Sequence, residues 1–179
     1  MARKETPVIA VAGWKNSGKT TLVTKLVAHF SGKGLRVATI KHSHHEPTFD
    51  ARETDSARHI GSGAAEVAIV SPMGLTIMPG ARNPGEPGLD EAIRRLGPAD
   101  LIIVEGYKSA TIPKIEVRRR AQADGRPLAG KDPHVIAIAS DHAVEEANVP
   151  VFSLDDIEGL AAAIDKKAGP LVALFGRAE

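Results

Sequence analysis

Residues 8–22 read VIAVAGWKNSGKTTL. Val8–Ala12 is a short apolar run closed by a glycine, the pattern of a strand buried on both faces. Gly13–Thr20, GWKNSGKT, then matches G-x-x-x-x-G-K-[ST], the phosphate-binding loop. Each element of that spacing has a task. Gly13 and Gly18 let the backbone turn tightly and approach an anion. Trp14, Lys15, Asn16 and Ser17 supply main-chain N–H groups that point inward as a nest, and the helix that follows adds its positive end. Lys19 reaches the β- and γ-phosphates, and the hydroxyl of Thr20 is placed for Mg2+. Residues 19–30 carry Leu22, Leu26 and Phe30 at i, i+4 and i+8, one apolar face of a helix. Strand, glycine loop and amphipathic helix in direct succession are the context the motif requires.

Working outward, Gly32 and Gly34 end the helix and Arg36–Ile40 reads as a second strand, so the first forty residues form a βαβ unit with parallel strands. A polar loop follows over 41–54, then a short helix over Asp55–Gly61. Val67–Val70 and Leu75–Met78, parted by Pro-Met-Gly, read as an appended antiparallel hairpin. Residues 79–88 are rich in proline and glycine and read as a mobile surface loop. Leu89–Leu96 is helical. Leu101–Val104 is the most hydrophobic run and is expected to be a central strand. Shorter strands are expected at 115–117, 135–139 and 149–152, with a polar loop over 118–134 and a last helix over 155–167. Alternating strands and helices make this an α/β fold with a mainly parallel sheet flanked by helices, expected as a single domain over 1–179.

Composition narrows the function. The chain is 42% hydrophobic but only 3% aromatic, so its core is aliphatic. A net charge of +1 gives no global field of the kind nucleic-acid binders use. The absence of cysteine excludes disulfides, thiolate metal sites and a cysteine nucleophile. The N-terminal apolar run is too short for a signal-peptide core or a membrane span, so the expectation is a cytoplasmic protein with no membrane or nucleic-acid partner.

A nucleotide site needs an acidic group to organise its metal. In parallel sheets, ligands bind beyond the carboxyl ends of strands. Glu105 stands at that end of LIIVE and is the metal-linked or water-orienting candidate, or else a plain strand-end carboxylate. Asp100, at the opposite end, reads as structural. Asp55 is the second acidic candidate, either near the γ-phosphate or as a helix N-cap. Asp141 closes IASD and is either a reader of guanine or a turn cap, since the usual Asn/Thr-Lys-x-Asp signature is not intact. Three of the seven histidines crowd into KHSHH, 41–45. Alternation along an extended segment disfavours three of them converging on one metal, so Lys41 and His42 are taken as its working members, within reach of phosphates. Arg118-Arg119-Arg120 reads as a charge run on a solvated face or as a phosphate patch.

GWKNSGKTTL (13–22), IKHSHH (40–45), TDSARHIGSGA (54–64), LIIVEGYK (101–108) and IPKIEVRR (112–119) together resemble the MobB family, the adaptor proteins of molybdopterin-guanine dinucleotide biosynthesis. The resemblance spans roughly residues 7–140 and implies a homodimeric P-loop NTPase that binds GTP with Mg2+ and hydrolyses it weakly. It implies a role beside the guanylyltransferase that attaches GMP to molybdopterin. By it, Gly13–Thr21 bind phosphates, with Lys19, Glu105 and Asp55 as catalytic or metal-side groups. Lys41, His42 and Asp55 line the nucleotide or cofactor region. Lys108, Lys114 and Arg118 fall in a segment that meets a pterin phosphate or the second subunit. Some related dimeric NTPases place a lysine directly after the first glycine. Here that residue is Trp14, and Lys15 is assigned no role across a dimer. No arginine finger is evident, Arg52, Arg58 and Arg118 being the candidates. A metal-delivery GTPase built on KHSHH, and an ATP-dependent ligase or kinase of the dethiobiotin-synthetase type, are the alternatives.

Overall fold

The computed structural model describes residues 6–43, 54–72, 74–80, 85–122, 126–145 and 147–170. The chain divides into two compact units, 1–42 with 88–179, and 43–87.

The larger unit is built on β1 (Pro7–Gly13), which runs through the middle of a sheet ordered β2-β5-β1-β6-β7-β8. Its other strands are β2 (Val37–Lys41), β5 (Leu101–Glu105), β6 (Lys114–Arg118), β7 (Val135–Ser140) and β8 (Val151–Ser153). All six pair in parallel. A two-residue strand, β9 (Gly169–Pro170), adds antiparallel to the start of β1.

β1, and β5 up to its last residue, are apolar because both faces are covered. Ile9 and Val11 face α1 (Lys19–Gly32) and α4 (Ile157–Lys167), in a core with Leu22, Leu26, Phe30, Ile115, Val117, Leu160 and Ile164. Val8 and Ala10 point the other way, to α3 (Leu89–Arg95), with Ile102, Val104 and Ile112. Each fully buried aliphatic side chain is worth about 1.5–3 kcal/mol, so this mostly aliphatic two-sided core holds the unit together. The sequence expectation of strand 149–152 shifts to 151–153, because Pro150 cannot donate to a ladder; its carbonyl instead accepts from Ile138 N–H at 2.9 Å.

The smaller unit holds α2 (Asp55–Gly61) and an antiparallel hairpin of β3 (Glu66–Ser71) and β4 (Gly74–Pro79). Its register puts Val67 opposite Met78 on a buried face, and Val70 opposite Leu75 on an exposed one. The loop expected over 79–88 falls partly outside the described residues.

Candidate nucleotide site

Register assembles the site before any side chain is considered. β2 and β5 pair so that Lys41 lies beside Glu105, and β1 pairs with β5 so that Val11 lies beside Glu105. Gly13 lies beside Val117 on the other side. The ends of β2, β5 and β6 therefore flank the loop that leaves β1.

That loop has the geometry of an anion nest. Gly13 has φ +155°, and a methyl group there would sit 2.7 Å from the Val117 carbonyl oxygen. Asn16 and Gly18 also take positive φ, 61° and 94°. α1 starts with no side-chain cap and no acidic residue in its first turn. Its leading N–H groups thus lack a protein acceptor of the usual kind, and an anion is the natural partner. Ser17 is 1% exposed, yet its Oγ has no hydrogen-bond partner among the described residues. An orphaned hydroxyl in the nest fits a phosphate oxygen.

The cations converge on the same point. Lys19 Nζ donates to the Trp14 carbonyl at 2.6 Å. Burial holds its pKa below the ordinary lysine value; Glu105 opposes that shift, and the neighbouring charges of Lys108 and Lys41 add to it. Lys108 Nζ lies 3.8 Å from the centre of the Trp14 ring, whose Nε1–H donates to the Arg126 carbonyl at 2.9 Å. A polyphosphate would relieve the mutual repulsion of the three lysines.

The metal side is a hydroxyl and a carboxylate. Thr20 Oγ1 donates to Glu105 Oε1 at 2.7 Å, and Lys41 Nζ stands 3.5 Å from the same oxygen. Glu105 is 8% exposed. Hard oxygen donors of this kind suit Mg2+, which binds through one or two protein oxygens plus phosphates and water. His42 stacks on Tyr107 with ring centres 4.5 Å apart, and its N–H donates to the Glu105 carbonyl. Tyr107 has φ 48°, a strained position two residues past the end of β5. The sequence reading did not single out Tyr107.

Other expected residues land elsewhere. Trp14, Lys15 and Asn16 are exposed on the loop, and Thr21 borders a cavity beside α1. Asp141 lines that cavity, following β7; its Oδ1 lies 2.9 Å from His142 Nδ1 and accepts the Arg120 N–H at 2.8 Å. These contacts hold its carboxyl below the usual range, ionised. Asp55 belongs to the smaller unit. It is not the N-cap of α2; Thr54 is, its hydroxyl accepting from Ala57 N–H. Lys114 is not at the surface. It is wholly buried and donates to the Lys108 and Ala110 carbonyls and to Asp132. Arg118 is turned to buried Glu116 at 2.8 Å, and Arg58 lies 3.5 Å from Asp55. Arg52, His44 and His45 lie outside the described residues. Among the described residues no group of three or more His, Asp or Glu side chains could hold a metal ion.

A parallel sheet with a phosphate-binding loop after its central strand, a lysine and threonine opening the helix and an acid on the adjacent strand end define a P-loop NTPase-type fold. Comparison with known proteins narrows this. The model of the family "Molybdopterin guanine dinucleotide synthesis protein B" matches residues 8–141, and the chain belongs to that family. The molybdopterin-guanine dinucleotide biosynthesis adapter protein of Escherichia coli K12 is 34% identical over 157 residues, 87% of this chain and 89% of that one. The protein of the same description from Haemophilus influenzae is 33% identical over 141 residues, 78% and 77% of the two chains. Among solved structures, Bacillus subtilis MobB superposes with TM-score 0.68 at 26% identity, covering 91% of this chain and 99% of that one. Among the described residues no helix is long and apolar enough to cross a membrane.

Proposed function

We propose that this chain binds GTP with Mg2+ and acts as an adapter in molybdopterin-guanine dinucleotide biosynthesis, beside the guanylyltransferase that joins GMP to molybdopterin. One observation carries the nucleotide reading. The uncapped start of α1, the unpartnered Ser17 hydroxyl and the ammonium groups of Lys19, Lys41 and Lys108 meet at one point on the sheet edge. The adapter role follows from the names of its relatives.

In this reading Lys19 leaves the Trp14 carbonyl for the β- and γ-phosphates. Thr20 and Glu105 hold the metal, directly or through water. Mg2+ held by those two residues would supply positive charge to offset the negative charge that builds on the phosphate oxygens. Hydrolysis to GDP and phosphate is expected to be slow. No arginine finger is evident among the described residues, and Arg118 donates to buried Glu116. Guanine over adenine rests on Asp141, whose ionised carboxyl accepts the ring N–H and amine of guanine, groups that adenine lacks at those positions.

Trp14 is the chain's single tryptophan and sits on the phosphate loop, so its fluorescence reports binding. Titration with GTP and Mg2+ is expected to change that signal at lower concentration than ATP does. Lys19→Ala is expected to abolish the response. Equal affinity for both nucleotides would remove the guanine assignment, and no response to either would remove the nucleotide reading.

A homodimer is part of the same proposal. Val70, Leu75 and Ile77 share one face of the β3–β4 hairpin and are 81%, 62% and 57% exposed. A two-stranded ribbon is marginal alone, and a face of this kind on it is suited to burial against a second copy. Light scattering should find a dimer that Leu75→Lys weakens.

A further inference from the structure

The run Arg118-Arg119-Arg120 is one feature in the sequence and three in the structure. Arg118 continues the face of β6 that carries Lys114 and Glu116, away from α1, and its Nη2 donates to Glu116, although its Nε too has no partner among the described residues. Arg120 contributes its main-chain N–H to Asp141. Arg119 lies one step past the strand, where alternation turns it to the face of Ile115 and Val117 on which α1 packs. Its guanidinium rests against Gly18. A methyl group there would fall 2.8 Å from Arg119 Nε and 3.1 Å from Nη2.

A guanidinium at this place is electrostatically unfavourable as it stands. The start of α1 is positive, and its first turn carries no acid to offset that. Arg119 Nε is buried with no hydrogen-bond partner among the described residues. A buried charged donor left unpaired is costly. Asp155 lies within electrostatic reach, but its carboxylate is hydrogen-bonded to Lys25. One negative charge between Arg119 and α1 would satisfy both.

The space for it exists. A cavity of about 180 Å³ is bordered by Gly18, Thr21, Lys25, Arg119, Asp141 and Asp155. Its polarity is graded. Gly18, Thr21 and Arg119 form a cationic end next to the phosphate loop. Asp141 follows β7, one strand or ~4.8 Å along the sheet, and is the acidic end; Asp155, after β8, is offset by Lys25, which also borders the cavity. A group that fits is anionic at one end and rich in N–H donors at the other.

We propose that this cavity takes the nucleoside monophosphate end of the bound nucleotide, with Arg119 as a ligand of the α-phosphate and Asp141 facing the base. This rests on the nucleotide-binding reading above. Arg119 then serves GTP and GDP alike, in contrast to an arginine finger, which acts on the γ-phosphate. It has no part in holding pyrophosphate, which needs only the loop and Lys19.

The test uses the full chain and isothermal titration with GTP, GDP and inorganic pyrophosphate, each with Mg2+. Arg119→Gln is expected to weaken GTP and GDP by a similar factor, about tenfold to a hundredfold for one charge-assisted contact, and to leave pyrophosphate unchanged. Arg119→Lys keeps the charge and should recover part of the loss, and it serves as the second variant if Arg119→Gln does not fold. Unchanged GDP affinity in both variants, a loss confined to GTP, or an equal loss for pyrophosphate would each overturn the assignment. If the wild-type chain binds none of the three, it is the nucleotide reading that fails.

Discussion

Lys114 offers the sharpest separation between a structural and a ligand-binding role. Its ammonium has three donors, and the structure satisfies all three, with the Lys108 carbonyl at 2.9 Å, the Ala110 carbonyl at 2.6 Å and the Asp132 carboxylate. The side chain has no exposed surface. Lys114→Met keeps the approximate volume and removes the charge. Two carbonyls then lose their donor and Asp132 loses its counter-ion. Breaking a buried pair costs about 3–5 kcal/mol. Asp132 is 21% exposed and keeps its bonds to His134, so the low end applies, about 3 kcal/mol. For a chain of this length that is a fall in Tm of about 6–12 °C. Urea unfolding followed by circular dichroism measures it. Lys114→Met with Asp132→Asn should recover part of the loss, because the uncompensated carboxylate is gone. A lysine held ready for a pterin phosphate would behave differently, with stability unchanged and only ligand affinity lost. A loss below about 0.5 kcal/mol for Lys114→Met would therefore refute the structural reading.

Glu105→Gln keeps an oxygen for Thr20 and removes the charge, so stability should stay within about 1 kcal/mol while the gain in GTP affinity from Mg2+ falls about tenfold or more. Nucleotide titrations with Mg2+ and with EDTA decide this, and an undiminished Mg2+ effect would rule Glu105 out as the metal-side acid. Asp100 sits at the start of β5, and the Arg36 side chain and N–H hold its carboxyl down to about 2. Since the folded value lies below the unfolded one, near ~3.9, its contribution is complete above that pH and is lost as pH falls through about 2. Asp100→Asn should lower stability at neutral pH and flatten the acid side of the stability profile, without changing nucleotide affinity.

Much of this site is local in sequence and was legible there. Gly13, Gly18, Lys19 and Thr20 lie close together in the chain, so their spacing alone is enough to propose the anion nest and to place the start of α1. Glu105 was legible for a different reason. A strand buried on both faces announces its own ends, and the carboxyl end of a parallel strand faces the ligand edge. Asp100 was assigned to the far end by the same rule, and its pairing with Arg36 agrees. Tyr107 gave no periodic signal, because its position depends on a turn with positive φ rather than on a pattern of apolar residues.

By itself, the sequence determined the α/β class, the order of most elements and the phosphate loop, because hydrophobic period and glycine spacing are read over a few residues. Tertiary structure decided what the charged residues do. Lys114, Glu116, Arg118 and Arg119 stand in one short polar stretch. Only the pairing of β6 between β1 and β7, and the return of the 126–134 segment over its face, buries the first two as pins for main-chain groups. The same pairing turns Arg119 to the helix that follows the phosphate loop. A charge carries no periodicity of its own, so its role is set by whatever partner the distant chain brings to it.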